Sequence, residues 1–369
     1  MGLDEIYVRD KNLNKIGLID NAESVIWTNR YFECGDFEIY AKATSQILEL
    51  CKNGRFLSHS GSYTPMMIEE YKITTDLDGI DYITISGRCA TAILTRRVVD
   101  EYSWTDIGET YAELQIKGLI EENVTDPSVL RNARIMNKVK FKNLVPVEST
   151  IKCPGGSYLG KSVYEAVTDI CKYSGFGIKT QLAYPVGATT LENNGVLQVI
   201  LYVGVDRSKK QNKLPAVIFS PSYGNLAESE YGVSWTNYAN VCLGYATSGK
   251  NLGGIKYVGT ATGMNRYETS VDISDAVSLT ETYEEYMSMI QARANEKMAN
   301  LRQNVAFDGK VVFSESFKYK DDYDLGDIVT MENDYGASET LRIVEVIESL
   351  DSNGYIITPV LKGVTETTN

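Results

Sequence analysis

The sequence predicts a mainly β protein interrupted by an α+β insertion. Three observations lead there. Apolar and polar residues alternate with a period of two through most of the first hundred positions and again from Val305 to Leu361. Helical spacing with capping signals is confined to a central stretch and one later segment. Tyrosine is in excess, with 25 Tyr against 9 Phe and 3 Trp, which suits half-wet strand faces and subunit interfaces.

Glu5 to Arg9 and Lys15 to Asp20 flank a turn around Asn12 and Asn14, a hairpin signal. Ser24 to Phe32 and Phe37 to Ala41 form a second pair broken by Cys34-Gly35-Asp36. Thr44 to Lys52 reads as a short helix through Ile47, Leu48 and Leu50. Met66 to Thr75 and Ile80 to Gly87 pair across Asp78-Gly79, a tight-turn dipeptide.

The pattern changes near Trp104. Asp106 with Glu109 predicts a capped helix to about Asn123, and Ser162 with Glu165 a second one ending at Gly175. Strands Gly177 to Tyr184 and Gly195 to Val205 complete an α/β insertion over residues 105–213. Strand character returns in Ala216 to Phe219, Leu226 to Tyr231, Tyr238 to Tyr245 and Ile255 to Thr260. These are expected to pair with the first hundred residues. The expected division is therefore a first barrel in two parts, 1–104 and 214–278, with a long helix and second barrel over 279–369. Thr282 and Glu285 cap that helix. Its apolar stripe is Tyr283, Tyr286, Met287, Ile290, Ala294, Met298 and Leu301, best read as one face packed on a sheet. Ser352-Asn353-Gly354 sets up a last hairpin.

Charge and composition exclude several functions. A net charge of -13 argues against a nucleic-acid-binding groove, which needs clustered Lys and Arg. The six cysteines show no metal-type spacing and read as reduced thiols. No secretory signal or membrane-length apolar run is visible, so folding in a cytoplasm is expected.

Candidate chemistry is sparse. The only histidine, His59, lies in Leu57-Ser58-His59-Ser60-Gly61 and reads as an exposed loop residue with no partner for a triad. Asp321-Asp322-Tyr323-Asp324 could bind calcium but lacks the glycine and terminal glutamate of an EF-hand, so a solvated turn is favoured. Cys153-Pro154-Gly155-Gly156-Ser157 lacks the Gly-Lys-Ser/Thr ending of a phosphate loop and reads as a plain turn. Arg96-Arg97 fits surface or interface ion pairs. No catalytic, cofactor or metal residue is assigned; carboxylate chemistry is the one enzymatic alternative, in a wall-degrading glycosidase or a sugar-binding module.

Several segments together are similar to a known family. Trp27 to Glu38 resembles the early W-T-x-R-Y-x-x-x-G-D-F-E stretch of siphophage tail-hub proteins from phages and prophages of Gram-positive bacteria. Ser86-Gly87-Arg88, Ile93 to Arg97, Gly204 to Ser208, Phe219 to Tyr231, Thr236 to Val241, Leu325 to Thr330 and Asn333 to Gly336 follow in family order. The resemblance implies a non-enzymatic tail-tip or baseplate hub, virion-borne. Two tube-like barrels per chain would make a homotrimer with a pseudo-sixfold ring that adapts a sixfold tube to a threefold tip. Expected neighbours are a distal tail protein or tube ring, the tape-measure protein, and a fibre or receptor-binding protein. Phage DNA would pass through without specific binding. Many relatives continue into a fibre or hydrolase domain, so receptor binding and wall cleavage are expected to reside in separate proteins. A prophage remnant or tailed bacteriocin is an equal context. The Gly-Asp-Phe-Glu and Leu-Gly-Asp segments are expected to be structural.

Overall fold

The computed structural model describes residues 3–52, 54–62, 64–100, 106–107, 110–153, 156–184, 195–210, 214–246, 255–274, 282–299, 301, 304–311, 317–335 and 338–364. Strands β1 (Ile6–Arg9) and β2 (Lys15–Ile19) make the first hairpin, and β3 (Ala22–Arg30) and β4 (Asp36–Lys42) the second. Helix α1 (Ser45–Leu50) starts where the Thr44 hydroxyl accepts the Ile47 amide. Strand β5 (Phe56–His59) then pairs with β1, and β6 (Met66–Thr75) with β7 (Asp81–Cys89). At the β6–β7 turn Gly79 takes φ +78°, and Asp76 Oδ1 accepts the amides of Asp78 and Ile80 at 2.9 and 2.8 Å.

The insertion contains the short strands β8 (Asp106–Ile107) and β9 (Thr110–Tyr111), helix α2 (Ala112–Ile120), strand β10 (Val139–Asn143), short β11 (Lys152–Cys153) and β12 (Gly156–Ser157), and helix α3 (Val163–Ser174). Strands β13 (Gly177–Ala183) and β14 (Val196–Tyr202) form an antiparallel pair, with β10 parallel at the other edge of β14. The second predicted cap is present in full: Ser162 Oγ accepts the Glu165 amide, and the Glu165 carboxylate accepts the Ser162 amide. Val163, Ala166, Val167, Ile170 and Cys171 give α3 its buried stripe, and Gly175 closes it at φ +73°. The first predicted helix differs. Asp106 lies in β8, paired to Ser157, so α2 begins only at Ala112, without a side-chain cap; Glu109 lies outside the described residues.

After the insertion come β15 (Ile218–Phe219), β16 (Leu226–Ser234), β17 (Val241–Tyr245), β18 (Lys256–Val258), β19 (Glu268–Asp272), helix α4 (Tyr283–Ala299), β20 (Asn304–Val311), β21 (Ile328–Glu332), β22 (Ser338–Asp351) and β23 (Gly354–Gly363). The expected pairing of 216–260 with the first hundred residues is not what forms. Strand β15 pairs with β21, β16 pairs with β20, and β17–β19 make a separate three-stranded sheet. The 14-residue β22 takes the edge of β3 that β4 leaves open, and the C-terminal strands in turn pair with β15 and β16. The result is one 13-stranded sheet: eleven strands run in the order β16-β20-β23-β22-β3-β4-β7-β6-β5-β1-β2, crossing from the C-terminal strands to the N-terminal ones at β22–β3, and β21 with β15 branches off β22.

One apolar core spans the N-terminal strands and the insertion, from Ile6, Trp27, Ile39 and Ile85 to Leu119, Val167 and Val199. A second gathers Phe219, Tyr323, Val329, Leu341 and Leu361, with Tyr31 and Tyr202 reaching into it. Helix α4 covers the β17–β19 sheet with Tyr286, Ile290 and Ala294, so the stripe packs as a helix face on a sheet; Tyr283 is exposed instead. All six cysteines are buried and unpaired. No helix among the described residues is long and apolar enough to cross a membrane.

Candidate functional site

Three of the motifs, far apart in the sequence, meet at one joint between the N-terminal strands, the insertion and the C-terminal strands: Trp27–Glu38, Gly204–Ser208 and Leu325–Thr330. Tyr31, the residue after β3, sits at its centre, fully buried. Its hydroxyl donates to the Gly175 carbonyl at 3.1 Å and accepts the Gly204 amide at 3.1 Å. Arg342 of β22 lies over its ring at 5.1 Å, and Tyr202 of β14 meets it edge-on at 5.3 Å. Burial pushes the Tyr31 phenol up, partly offset by the Arg342 charge. Gly177 and Gly326 supply flat backbone against the ring, for a Cβ at either would come within 2.2 Å of Tyr31.

The Gly204–Ser208 and Leu325–Asp327 motifs meet at this point. Asp327, buried, accepts the Val205 amide at 2.7 Å, the Arg207 guanidinium at 2.8 Å and the Asp324 amide at 3.0 Å. A Cβ on Gly204 would fall 1.9 Å from the Gly326 carbonyl oxygen, so the two backbones touch there without room for any side chain.

The early motif is fastened in the same way. Arg30 bridges Asp36 and Glu345, each at 2.6 Å, tying the β3–β4 turn to β22. A Cβ on Gly35 would lie 1.8 Å from the Thr28 carbonyl, and one on Gly87 2.0 Å from that of Met67. The Gly35 carbonyl accepts the Cys89 amide at 2.8 Å. Beside it the Cys34 thiol donates to Cys89, which lowers Cys89 to about 7 and drives Cys34 far above the ordinary thiol range. Further along, Asn225 accepts the Ser220 amide and donates to Ile218, while Ser222 donates to Asp334, joining two more motifs. A cavity of about 140 Å³ lies within the joint, bordered by Arg30, Lys179, Lys320 and Asp324 and by Ile178 and Tyr202. It is below the roughly 300–1,000 Å³ of small-molecule sites.

His59 is the main correction to the sequence reading. It is buried, not an exposed loop residue, because it ends β5, all four residues of which are buried. Its ring meets Trp27 edge-on at 4.8 Å, and neither His59 Nε2 nor Trp27 Nε1 has a hydrogen-bond partner among the described residues. Burial pulls the imidazolium down to about 4, the Lys320 ammonium adding to the shift and Asp4 opposing it. The folded value lies below the unfolded one of about 6.5, so between these pH values only the unfolded chain holds the proton. Stability is therefore expected to fall as pH drops from about 6.5 to about 4, by about 3 kcal/mol from this residue alone. Urea midpoints at a series of pH values check this: His59→Phe should flatten the slope above pH 5, where carboxylates contribute little. An unchanged slope would assign it to other groups.

The remaining sequence candidates are structural. The Asp321–Asp324 stretch is a turn: Asp322 accepts the Lys318 amide at 2.8 Å, Asp324 accepts the Leu325 amide at 2.8 Å, and Tyr323 is buried in the second core. No group of three metal-ligating side chains occurs among the described residues. Of the Cys153–Ser157 segment, Pro154 and Gly155 lie outside the described residues; Cys153 is buried, and Gly156–Ser157 pairs with β8. Arg97 donates to the Arg134 and Arg96 carbonyls rather than to a carboxylate. It is Arg131 and Arg134 that pair with Asp100. The sequence reading missed Arg342, Glu345 and Glu348, charges inside the apolar run of β22. Glu348, 2% exposed at its side chain, holds Lys320 at 3.3 Å and accepts the Tyr355 hydroxyl at 2.5 Å. Charges spaced along a strand otherwise fit for a core were the available signal.

The comparisons agree with this architecture. A tail protein from Neisseria meningitidis MC58 superposes with a TM-score of 0.60 at 14% identity, covering 97% of this chain and 96% of that one. The 43 kDa tail protein of prophage MuSo2 from Shewanella oneidensis gives 0.58 at 14%, covering 97% and 98%. Prophage tail protein gp18 from Listeria monocytogenes EGD-e gives 0.55 at 10%, covering 98% and 95%. No curated protein matches the sequence. The profile of one family matches residues 5–361, and the chain belongs to it: the siphovirus ReqiPepy6 Gp37-like proteins, here in the fold of phage and prophage tail proteins.

Proposed function

We propose that the chain is a non-enzymatic hub at the tip of a phage-type tail, working as a homotrimeric ring that adapts a sixfold tube to a threefold tip. The observation that carries this reading is a tail-protein fold shared over the whole length, in a chain where the Trp27–Glu38, Gly204–Ser208 and Leu325–Thr330 motifs meet at one internal joint. The main run of the large sheet ends in β2 and β16, unlike edges at opposite ends of one sheet. Unlike edges favour head-to-tail contacts that close into a ring. The segments 1–104, 105–213, 214–278 and 279–369 remain the working division, with 216–234 reassigned to the C-terminal strands because of its pairing. Tube ring or distal tail protein, tape-measure protein and fibre are the neighbours this position requires. A net charge of -13 lets DNA pass without sticking. Averaged images of tail tips carrying the chain test the reading: three copies around a central channel are expected, and six copies or an off-axis position overturn it.

A further inference from the structure

Residues 69–81, the distal part of the β6–β7 hairpin, are all exposed. At its tip Leu77 is 106% exposed, flanked by Asp76, Asp78 and Asp81, with Ile80 beside it at 40%. A bare leucine among aspartates is an unusual end for a soluble arm, since an exposed large apolar group gains by burial.

Elsewhere on the chain lies a groove of about 530 Å³ with the opposite character. Its floor is apolar: Leu13, Phe56, Ile93, Met136, Val139 and Leu197. Its rim carries Lys11, Arg96 and Lys138 and no carboxylate among the described residues. In a chain of net charge -13, three cations around one apolar groove stand out. Groove and tip complement each other in both polarity and sign.

The tip cannot reach the groove of its own chain. Phe56, on the groove floor, pairs with Met67 at the base of the arm, and Leu77 lies ten residues further out. At about 3.3 Å per residue the separation is about 30 Å. Beyond the register shift at Ile68–Glu70 the β6–β7–β4 ladder keeps the arm extended, with Thr75 still paired to Asp81 and Lys42 to Tyr82. The occupant must come from another molecule.

We propose that the acidic, leucine-tipped β6–β7 arm of one copy docks into the basic apolar groove of the next. The contact is heterologous, tip to groove, and so propagates in one rotational sense, as a closed ring needs. This rests on the ring reading given above and names the contact that closes it. Leu77 enters the groove, and Asp76, Asp78 and Asp81 come opposite its basic rim.

The test uses the full chain. Leu77→Asp and Asp78→Lys sit at a fully exposed turn and leave folding intact. Each is expected to weaken self-association, measured by sedimentation, about 10-fold or more. Arg96→Glu should weaken it likewise, and pairing Arg96→Glu with Asp78→Lys should restore part of the loss. Mixed single variants Leu77→Cys and Asn137→Cys, treated with a short bismaleimide, should give cross-linked dimers absent from the wild type, whose cysteines are all buried. Wild-type association with unaffected variants and no mixed cross-link overturns the contact and leaves the ring standing. A chain that stays monomeric alone and in tail particles overturns ring and contact together.

Discussion

Asp327→Ala is expected to lower stability by about 3–5 kcal/mol, read as a shift of the urea midpoint at unchanged slope. The carboxylate is 4% exposed at its side chain and the Arg207 guanidinium facing it 13%. Removing it strands a mostly buried cation, which is the costly way to break such a pair. It also takes the acceptor from the Val205 and Asp324 amides, each worth about 1–3 kcal/mol if left unpaired. A domain of ordinary stability, about 5–15 kcal/mol, would lose a large part of it. Replacing both partners, Asp327→Ala with Arg207→Leu, should cost less than Asp327→Ala alone, because the orphaned cation is then gone. Asp327→Asn should fall between, keeping an acceptor for Val205 while setting an amide against the guanidinium. A midpoint shift equivalent to under about 1 kcal/mol for Asp327→Ala would show that the joint is held elsewhere.

That joint was only half visible in the sequence, for a physical reason. What is encoded locally was readable: the Asp78-Gly79 turn, the short helix from Thr44, the Ser162–Glu165 box and the Gly175 stop all sit where short-range chemistry puts them. Each depends on residues within a few positions of one another. The partner of β3 depends on residues 315 positions apart, Arg30 and Glu345, and strand alternation carries no label for its neighbour. Hence 216–234 was assigned to the wrong strands although its strand character was right. His59 failed similarly. Its serine neighbours suggest a loop, yet its burial is decided by Trp27, more than thirty positions away on β3. The Gly-Asp and Leu-Gly-Asp segments were recognisable as structural. That Gly204 and Gly326 touch each other, and that Tyr31 lies against both Gly177 and Gly326, follows only from the assembled fold.

Tyr31→Ala is expected to destabilise by about 3–5 kcal/mol, as for other large aromatic truncations in a core. Three parts of the chain close on this ring: β3 leads into it, Gly175–Gly177 and Gly204 come from the insertion, and Gly326 and Arg342 from the C-terminal strands. The flat glycine surfaces cannot follow a shrinking side chain, since a backbone fixed in strands and turns does not collapse inward as neighbouring side chains might. The cavity should therefore persist, and the cost should sit at the upper end of the range. Tyr31→Phe keeps the ring and removes the hydroxyl that serves Gly175 and Gly204, for an expected loss of about 1–2 kcal/mol. Amide exchange separates the two effects. The Phe variant should speed exchange at Gly204 while leaving the β3–β22 ladder protected; the Ala variant should loosen that ladder as well, because Arg342 loses the ring it covers. Equal and small shifts for both variants would mean that β3–β22 pairing holds the N- and C-terminal strands together, and the shared apolar core holds the insertion, without help from the ring. In that event the motifs clustered around Tyr31 would have no mechanical role in holding the three parts rigid.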